Sequence, residues 1–353
     1  MEFLYEYALF LARAITVVAA VLVIVAGLVA IGSRQRAVQH EGHIEIRKVN
    51  ERYRAMGDAL RSAVDDPADV KARQKAEKKA EKQLARAGKK SRRKGADTPG
   101  ETRRKRLYVM DFDGDLRASA TDSLREEISV VLSQAGEGDE VLLRVESPGG
   151  LVHGYGLAAS QLRRIRDAGV PLTVAVDKVA ASGGYMMACV GDRILAAPFA
   201  VLGSIGVLAQ LPNFHRLLKK HEIDFELMTA GLYKRTLTVF GENTEEGRAK
   251  FLQELEETHD LFKAFVSENR PSLNIDKVAT GEVWYGSQAL AEGLIDEVKT
   301  SDALVQERLA DWDVFAVKFV HKKNWQEKLG LAAEGTLTRL AMRLWQRDQG
   351  PHY

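Results

Sequence analysis

Three short glycine-bearing stretches hold the residues best suited to acyl chemistry: Glu146-Ser147-Pro148-Gly149-Gly150, Ala180-Ala181-Ser182-Gly183-Gly184 and Gly203-Ser204-Ile205-Gly206. Glycine in such a turn permits positive φ and lets a substrate come close to backbone N–H groups. Those groups can hold a developing oxyanion. A serine between alanine and glycine, on a tight turn before an apolar helix, has the form of a nucleophile at a helix start, where the dipole favours developing negative charge. Singly, each stretch is equally well explained by the liking of Gly and Ser for turns. All three together are specific.

A serine nucleophile needs a base. None of the 8 histidines stands in a recognisable pairing motif, and His153, three residues past Gly150, is the best placed of them. A lysine can do the same work where apolar walls keep its amine uncharged. Lys234, in Gly231-Leu232-Tyr233-Lys234-Arg235-Thr236, follows a glycine and adjoins an aromatic ring, whereas Lys178 is separated from Ser182 by only three residues of turn. A different acyl chemistry, hydration or isomerisation of an acyl-CoA, would use the paired N–H groups to hold a thioester enolate and two carboxylates as acid and base. Glu146 could be one carboxylate, but no second is suitably placed. The single Cys189 and scattered histidines offer no metal-ligand cluster. The phosphate-cradling GxxxxGK[ST] pattern is also absent, so neither metal, cofactor nor nucleotide is expected.

The elements that must position these residues alternate. A β-rich run over 107–112 precedes a helix over 123–134 with Leu124, Ile128, Val131 and Leu132 on one face, and an apolar strand over 140–145 follows. The spacing then predicts a helix over 154–168, strands over 172–176 and 193–196, an apolar segment over 185–190 and a long helix over 244–268. Strands separated by helices call for an α/β fold with a largely parallel, helix-covered sheet, whose functional residues lie at the carboxyl ends of the strands. The apolar region 178–211 is interrupted by Asp192, Arg193 and Pro198, so it reads as core rather than as a membrane span.

Composition divides the rest. The 353 residues suffice for one large domain with appendages, and one cysteine forbids an intramolecular disulfide. Residues 14–33 are twenty consecutive uncharged residues, enough for a helix about 30 Å long that matches the hydrocarbon thickness. Glu2 and Glu6 before the run, and Arg34 and Arg36 after it, argue for an uncleaved anchor rather than a signal peptide. Arg13 stands alone on one side against Arg34, Arg36, Arg47 and Lys48 on the other, a bias that puts the bulk of the chain on the cytoplasmic face, although large domains can be exported against it. Residues 34–106 carry 23 Lys+Arg against 11 Asp+Glu and read as a basic stalk beside anionic lipid. No interleaved aromatics suggest specific nucleic-acid binding. Beyond 312, the segment 322–347 sets Trp325, Leu329, Leu337, Leu340, Leu344 and Trp345 among basic residues, a pattern suited to a membrane interface or to an oligomer contact.

With these motifs the chain resembles the bacterial membrane-anchored signal peptide peptidases, serine proteases with a Ser/Lys dyad. The resemblance rests on ESPGG at 146–150, ASGGY at 181–185, GSIGV at 203–207 and YKR at 233–235, in the family's order. It implies Ser182 as nucleophile, Lys234 as general base, Ser204 orienting the lysine ammonium, and the N–H groups of Gly150 and Gly183 as the oxyanion hole. It also implies a fold similar to that of Clp protease and crotonase, with a repeated β-β-α core, and assembly into homo-oligomeric rings. The organisation expected is an anchor over 1–33, a stalk over 34–106, a catalytic domain over 107–312 and a basic tail over 313–353. The function expected is hydrolysis of unfolded or membrane-derived peptides, such as signal peptides, at the bacterial inner membrane. A crotonase-like hydratase and a catalytically silent membrane scaffold are the alternatives.

Overall fold

The computed structural model describes residues 42–66 and 103–322, with a few single positions besides. In chain order the elements are β1 (Gly42–Lys48), α1 (Val49–Val64), β2 (Arg106–Asp113), α2 (Thr121–Gln134), β3 (Glu140–Glu146), α3 (Val152–Asp167), β4 (Leu172–Val176), β5 (Val179–Ala181), α4 (Gly183–Ala188), β6 (Arg193–Ala196) and β7 (Val201–Gly203). There follow α5 (His215–Lys220), α6 (Glu245–Asn269), α7 (Ile275–Val278), β8 (Val283–Tyr285), α8 (Gly286–Ala291), β9 (Glu297–Val298), α9 (Ser301–Arg308) and β10 (Asp313–His321).

Seven strands form one sheet in the order β1-β10-β2-β3-β4-β6-β9, and β5, β7 and β8 form a second, smaller one. Each pair from β10 to β9 is parallel. The central strands explain themselves: Val141, Leu142 and Leu143 run without alternation and are all inaccessible to solvent, as a strand covered on both faces requires. Each such side chain contributes about 1.5–3 kcal/mol by leaving water. Leu142, Ala175 and Leu195, on three adjacent strands, share a core cluster with Leu304, Trp312 and Val314. On α3 the buried residues Tyr155, Ala158, Ala159, Leu162 and Ile165 keep the helical period and make one face that packs inward. The long α6 starts where expected, with Thr244 Oγ1 accepting the Gly247 N–H at 3.1 Å.

The α/β class and the parallel sheet follow the sequence pattern closely. Two stretches read from charge behave differently. Within the expected stalk, β1 and α1 are ordered elements, and Asn50 ties the start of α1 to the domain by donating to Trp312 O (2.8 Å) and Leu309 O (3.1 Å) and accepting from Val314 N (2.8 Å). Past residue 312, β10 is an interior strand rather than part of a tail; its β-branched and aromatic content, Val314, Phe315, Val317, Phe319 and Val320, is a strand signal that a division by charge passes over. Two compact units divide the chain, 46–318 on the one hand and 1–45 with 319–353 on the other. In the second, the Gly42 backbone lies against the Phe319 ring. Apart from Thr16, the apolar run 14–33 lies outside the described residues, as does the amphipathic segment past Lys322. Among the described residues no helix is long and apolar enough to cross a membrane.

Candidate active site

The smaller sheet brings the three glycine-bearing stretches side by side. β5 and β7 run parallel with Ala181 opposite Gly203, and Ser147 forms an isolated bridge with Ala180 on the other side. The bonds are Ser147 N–H to Val179 O (2.8 Å), Ala181 N–H to Ser147 O (3.0 Å) and Ser182 N–H to Gly203 O (2.8 Å). Ser182 therefore sits where β5 ends and α4 begins, its amide held by β7 and its carbonyl accepting the Met186 N–H at 2.9 Å. Its backbone is forced to φ 50° and ψ −117°. A non-glycine residue there costs about 1–3 kcal/mol, a strain that clusters at functional sites. Its side chain is half-buried.

The glycines allow the turns to touch. Gly149 has φ 94°, and a Cβ there would lie 2.8 Å from both Gly183 N and Ser182 Cβ. Gly150 lies so close to the Leu116 carbonyl that any Cβ would collide with it. Leu151 N–H donates to that same oxygen at 2.8 Å. The Gly149 N–H is taken by Ser147 Oγ at 3.1 Å. By contrast, the Gly150 and Gly183 N–H groups have no acceptor among the described residues, which leaves two unengaged donors beside the Ser182 turn. Ser204 follows Gly203 (φ 94°) with its own φ of 50°, and its N–H donates to Glu282 O at 2.6 Å. His259 Nε2 lies 3.2 Å from Ile205 O, so α6 braces this third turn.

The candidate bases separate clearly. Lys178 forms an ion pair with Glu146 at 2.8 and 2.9 Å, and that partner raises its pKa above the ordinary lysine value. Its ammonium is committed, and so is the carboxylate that acyl-CoA chemistry would have needed. His153 is exposed in the first turn of α3. Lys234 lies on an exposed turn, where its amide donates to Gly231 O at 3.1 Å. Among the described residues no hydrogen bond joins it to Ser182 or Ser204. Among the described residues no dry enclosure surrounds this amine, and nearby apolar side chains turn outward: Leu208, Met228 and Leu232 are 79%, 86% and 80% exposed. Cys189, just past α4 and seven residues after Ser182, is fully buried, and burial pushes its thiol up to about 12, so it is no rival nucleophile.

Sequence reasoning missed the brace behind the turns. Gly114 N–H donates to Glu146 O at 2.9 Å, and Asp115 Oδ1 accepts from the N–H groups of Arg117 and Ser119. The loop after β2 is thereby folded against the loop after β3. Asp113-Gly114-Asp115, a turn signal directly after the first strand, was the mark that could have revealed it.

Comparison with known proteins gives the family of the chain. The model for the N-terminal part of peptidase family S49 matches residues 2–162, and the model for peptidase family S49 itself matches residues 164–314. The chain is 52% identical over 333 residues to the probable protease SohB of Haemophilus influenzae, covering 94% of each. It is 63% identical over 202 residues to the probable protease SohB of Buchnera aphidicola subsp. Schlechtendalia chinensis, covering 57% of this chain and 66% of that one. The solved structure of the 1510-N membrane-bound stomatin-specific protease with a substrate peptide is similar at 14% identity and a TM-score of 0.41, covering 64% of this chain and 96% of that chain. With family models abutting across the Ser182 half of the chain and its N-terminal half, and a relative matched nearly end to end, the chain belongs to peptidase family S49.

Proposed function

We propose that the chain is a membrane-anchored serine endopeptidase in which Ser182 Oγ attacks a peptide carbonyl and the N–H groups of Gly150 and Gly183 hold the oxyanion. The observation that carries this reading is the strained Ser182 turn beside two N–H groups that have no acceptor among the described residues. Lys234 takes the hydroxyl proton as the acyl bond forms and returns it to the leaving amine. Water, deprotonated by the same amine, then frees the enzyme. Each oxyanion donor of this kind is worth about 2.7–4 kcal/mol. Ser204, opposite in the adjoining turn, orients the ammonium once formed.

Lys234 must be uncharged to act, which calls for a dry setting, and in the single chain it stands exposed on its turn. The apolar side chains around it supply the remedy: a second copy packed over the loop would remove water from both. The assembly is therefore a homo-oligomer whose interface completes the site. The apolar run 14–33 supplies the anchor, and the basic residues behind it favour the cytoplasmic face of the inner membrane. Extended peptides, among them signal-peptide remnants, suit a site on a short edge between glycine turns better than folded proteins do. No cofactor or metal enters these steps.

The test is a fluorophosphonate probe on the detergent-solubilised full chain. It should label Ser182, and Ser182→Ala should lose both the label and peptide turnover. Lys234→Met should lose turnover by at least roughly a thousandfold while leaving the fold intact. Parent activity should rise toward alkaline pH and with protein concentration. Labelling elsewhere, or unchanged turnover in Ser182→Ala, would sink the reading.

A further inference from the structure

We propose that Ser147 and Tyr155 form a buried positioning relay that fixes the loop after β3, turning the Gly149 N–H inward and leaving the Gly150 N–H as the donor this loop offers to the oxyanion. The relay rests on the reading of Ser182 as nucleophile, and it adds two residues to which that reading gives no part. Tyr155 is inaccessible to solvent, and its hydroxyl donates to Asp115 O at 2.8 Å. That uses its one proton. In the 2.5 Å contact between Tyr155 Oη and Ser147 Oγ, Ser147 is therefore the donor. Ser147 Oγ in turn accepts the Gly149 N–H at 3.1 Å. The chain of bonds runs in one direction, from Gly149 N–H through Ser147 and Tyr155 to the Asp115 carbonyl, and every hydroxyl proton in it has one acceptor.

Packing leaves no room for another arrangement. A Cβ on Gly114 would lie 2.5 Å from both Ser147 Oγ and Tyr155 Oη, and one on Gly184 would lie 2.5 Å from Ser147 O. The Tyr155 ring also underlies Gly183, which leaves no space for a Cβ there. One side chain thus lies against Gly183 and bonds to Ser147, which holds the turn leading into Gly150. Were the Ser147 hydroxyl lost, the Gly149 N–H would be buried without a partner, and the peptide would turn to satisfy it. The Gly150 N–H would move with it. Ser147 is a positioning residue and not a second nucleophile, because it is fully buried and its proton is committed. Burial holds the Tyr155 phenol above its ordinary value, so the relay stays protonated throughout the range in which the enzyme would work.

The experiment uses the full chain carrying Ser147→Ala, Tyr155→Phe or both, assayed with a peptide substrate and a peptide boronate that mimics the tetrahedral intermediate. Tyr155→Phe keeps the ring and removes only the hydroxyl. In each single variant kcat should fall about tenfold to hundredfold with KM within about threefold, as for misplacement of a transition-state donor. Boronate affinity should fall by a similar factor, and the pH profile should keep its shape. The double variant should be no worse than the worse single one, since the two act as a unit. Unchanged kcat and boronate affinity in folded variants would overturn the relay. Equal losses in KM would overturn it too, as would unfolding of both single variants, which would assign the pair to the fold alone. Turnover surviving in Ser182→Ala would instead overturn the reading on which the relay rests.

Discussion

Gly203 O accepts the Ser182 N–H at 2.8 Å, and this one bond ties a strained residue of the site to the neighbouring strand. Gly203 itself has φ 94°, and a Cβ there would stand 2.6 Å from the Trp284 ring on β8. Position 203 is therefore closed to side chains on two counts, conformation and space. Gly203→Ala should cost about 1–3 kcal/mol of stability and should also slow labelling of Ser182 by a fluorophosphonate. Urea midpoints and labelling rates measured on one preparation check both. Normal labelling in a destabilised variant would show that the Ser182 turn is held from elsewhere.

Lys178 and Lys234 offer a contrast between a lysine engaged by a carboxylate and one without such a partner. Glu146 holds the Lys178 ammonium at 2.8 Å on the surface, with 70% of the lysine side chain exposed. An ion pair of that kind adds little to stability, and it keeps the amine protonated, so it cannot accept a proton from serine. Lys178→Met is expected to keep turnover within about threefold of the parent, the usual consequence of a surface change outside the reacting groups. A loss as deep as that of Lys234→Met, measured as kcat/KM on the same peptide, would move the base to the wrong lysine.

How far the sequence carries can be judged from particular residues. The turns that carry Ser182, Gly150 and Gly183 were legible because their motifs are local and follow strand-like apolar segments. The largely parallel sheet was legible, since 107–112, 140–145 and 172–176 are long enough to show their pattern. β5 and β7 were not, because three residues carry no period. Yet these two strands bring the Ser182 and Ser204 turns side by side, with Ser147 bridged to Ala180 just before them. Lys234 shows the opposite case: a preceding glycine and an adjoining aromatic ring do not say whether the loop encloses its lysine, and here Lys234 is exposed. Tyr155 falls only within a helix in the sequence reading, and its hydroxyl contact with Ser147, eight residues earlier, depends on the strand-to-helix geometry that places them together.

The pairing of Arg270 with Asp296 gives the fold a dependence on pH. Burial alone would raise the Asp296 carboxyl, but the fork of hydrogen bonds from Arg270, at 2.7 and 3.0 Å, and the Ile194 N–H at 2.7 Å outweigh it and hold the group below its ordinary value. A carboxyl depressed in the folded state stabilises above the unfolded value of about 3.9, and that contribution fades as pH falls through the lower folded value. Asp296→Asn should lower stability at pH 7 by on the order of 1 kcal/mol, modest because the pair is partly exposed and screened. The difference from the parent should shrink as pH falls below about 4. Urea midpoints of parent and variant between pH 7 and pH 3 decide it, and a gap that stayed constant would remove the carboxylate from the account.

Cys189 supplies an internal gauge of the Ser182 turn. It lies just past α4, inaccessible to solvent, with Sγ donating to Met186 O at 3.2 Å, and burial raises its thiol to about 12. Only the thiolate reacts with alkylating or disulfide reagents. At pH 8 the folded chain should therefore react slowly, and one equivalent of thiol should appear on unfolding in denaturant, there being one cysteine in the sequence. If reaction requires global unfolding, its rate will climb with urea as steeply as the equilibrium transition does. A shallower climb would mean that α4 opens on its own. Since the first turn of α4 follows Ser182 directly, such local opening would release the strained backbone there, and fluorophosphonate labelling of Ser182 would fall in step with the rise in thiol exposure. Fast reaction at Cys189 in a chain that still labels fully at Ser182 would show instead that the turn is held by β7 and Gly203 without help from the helix.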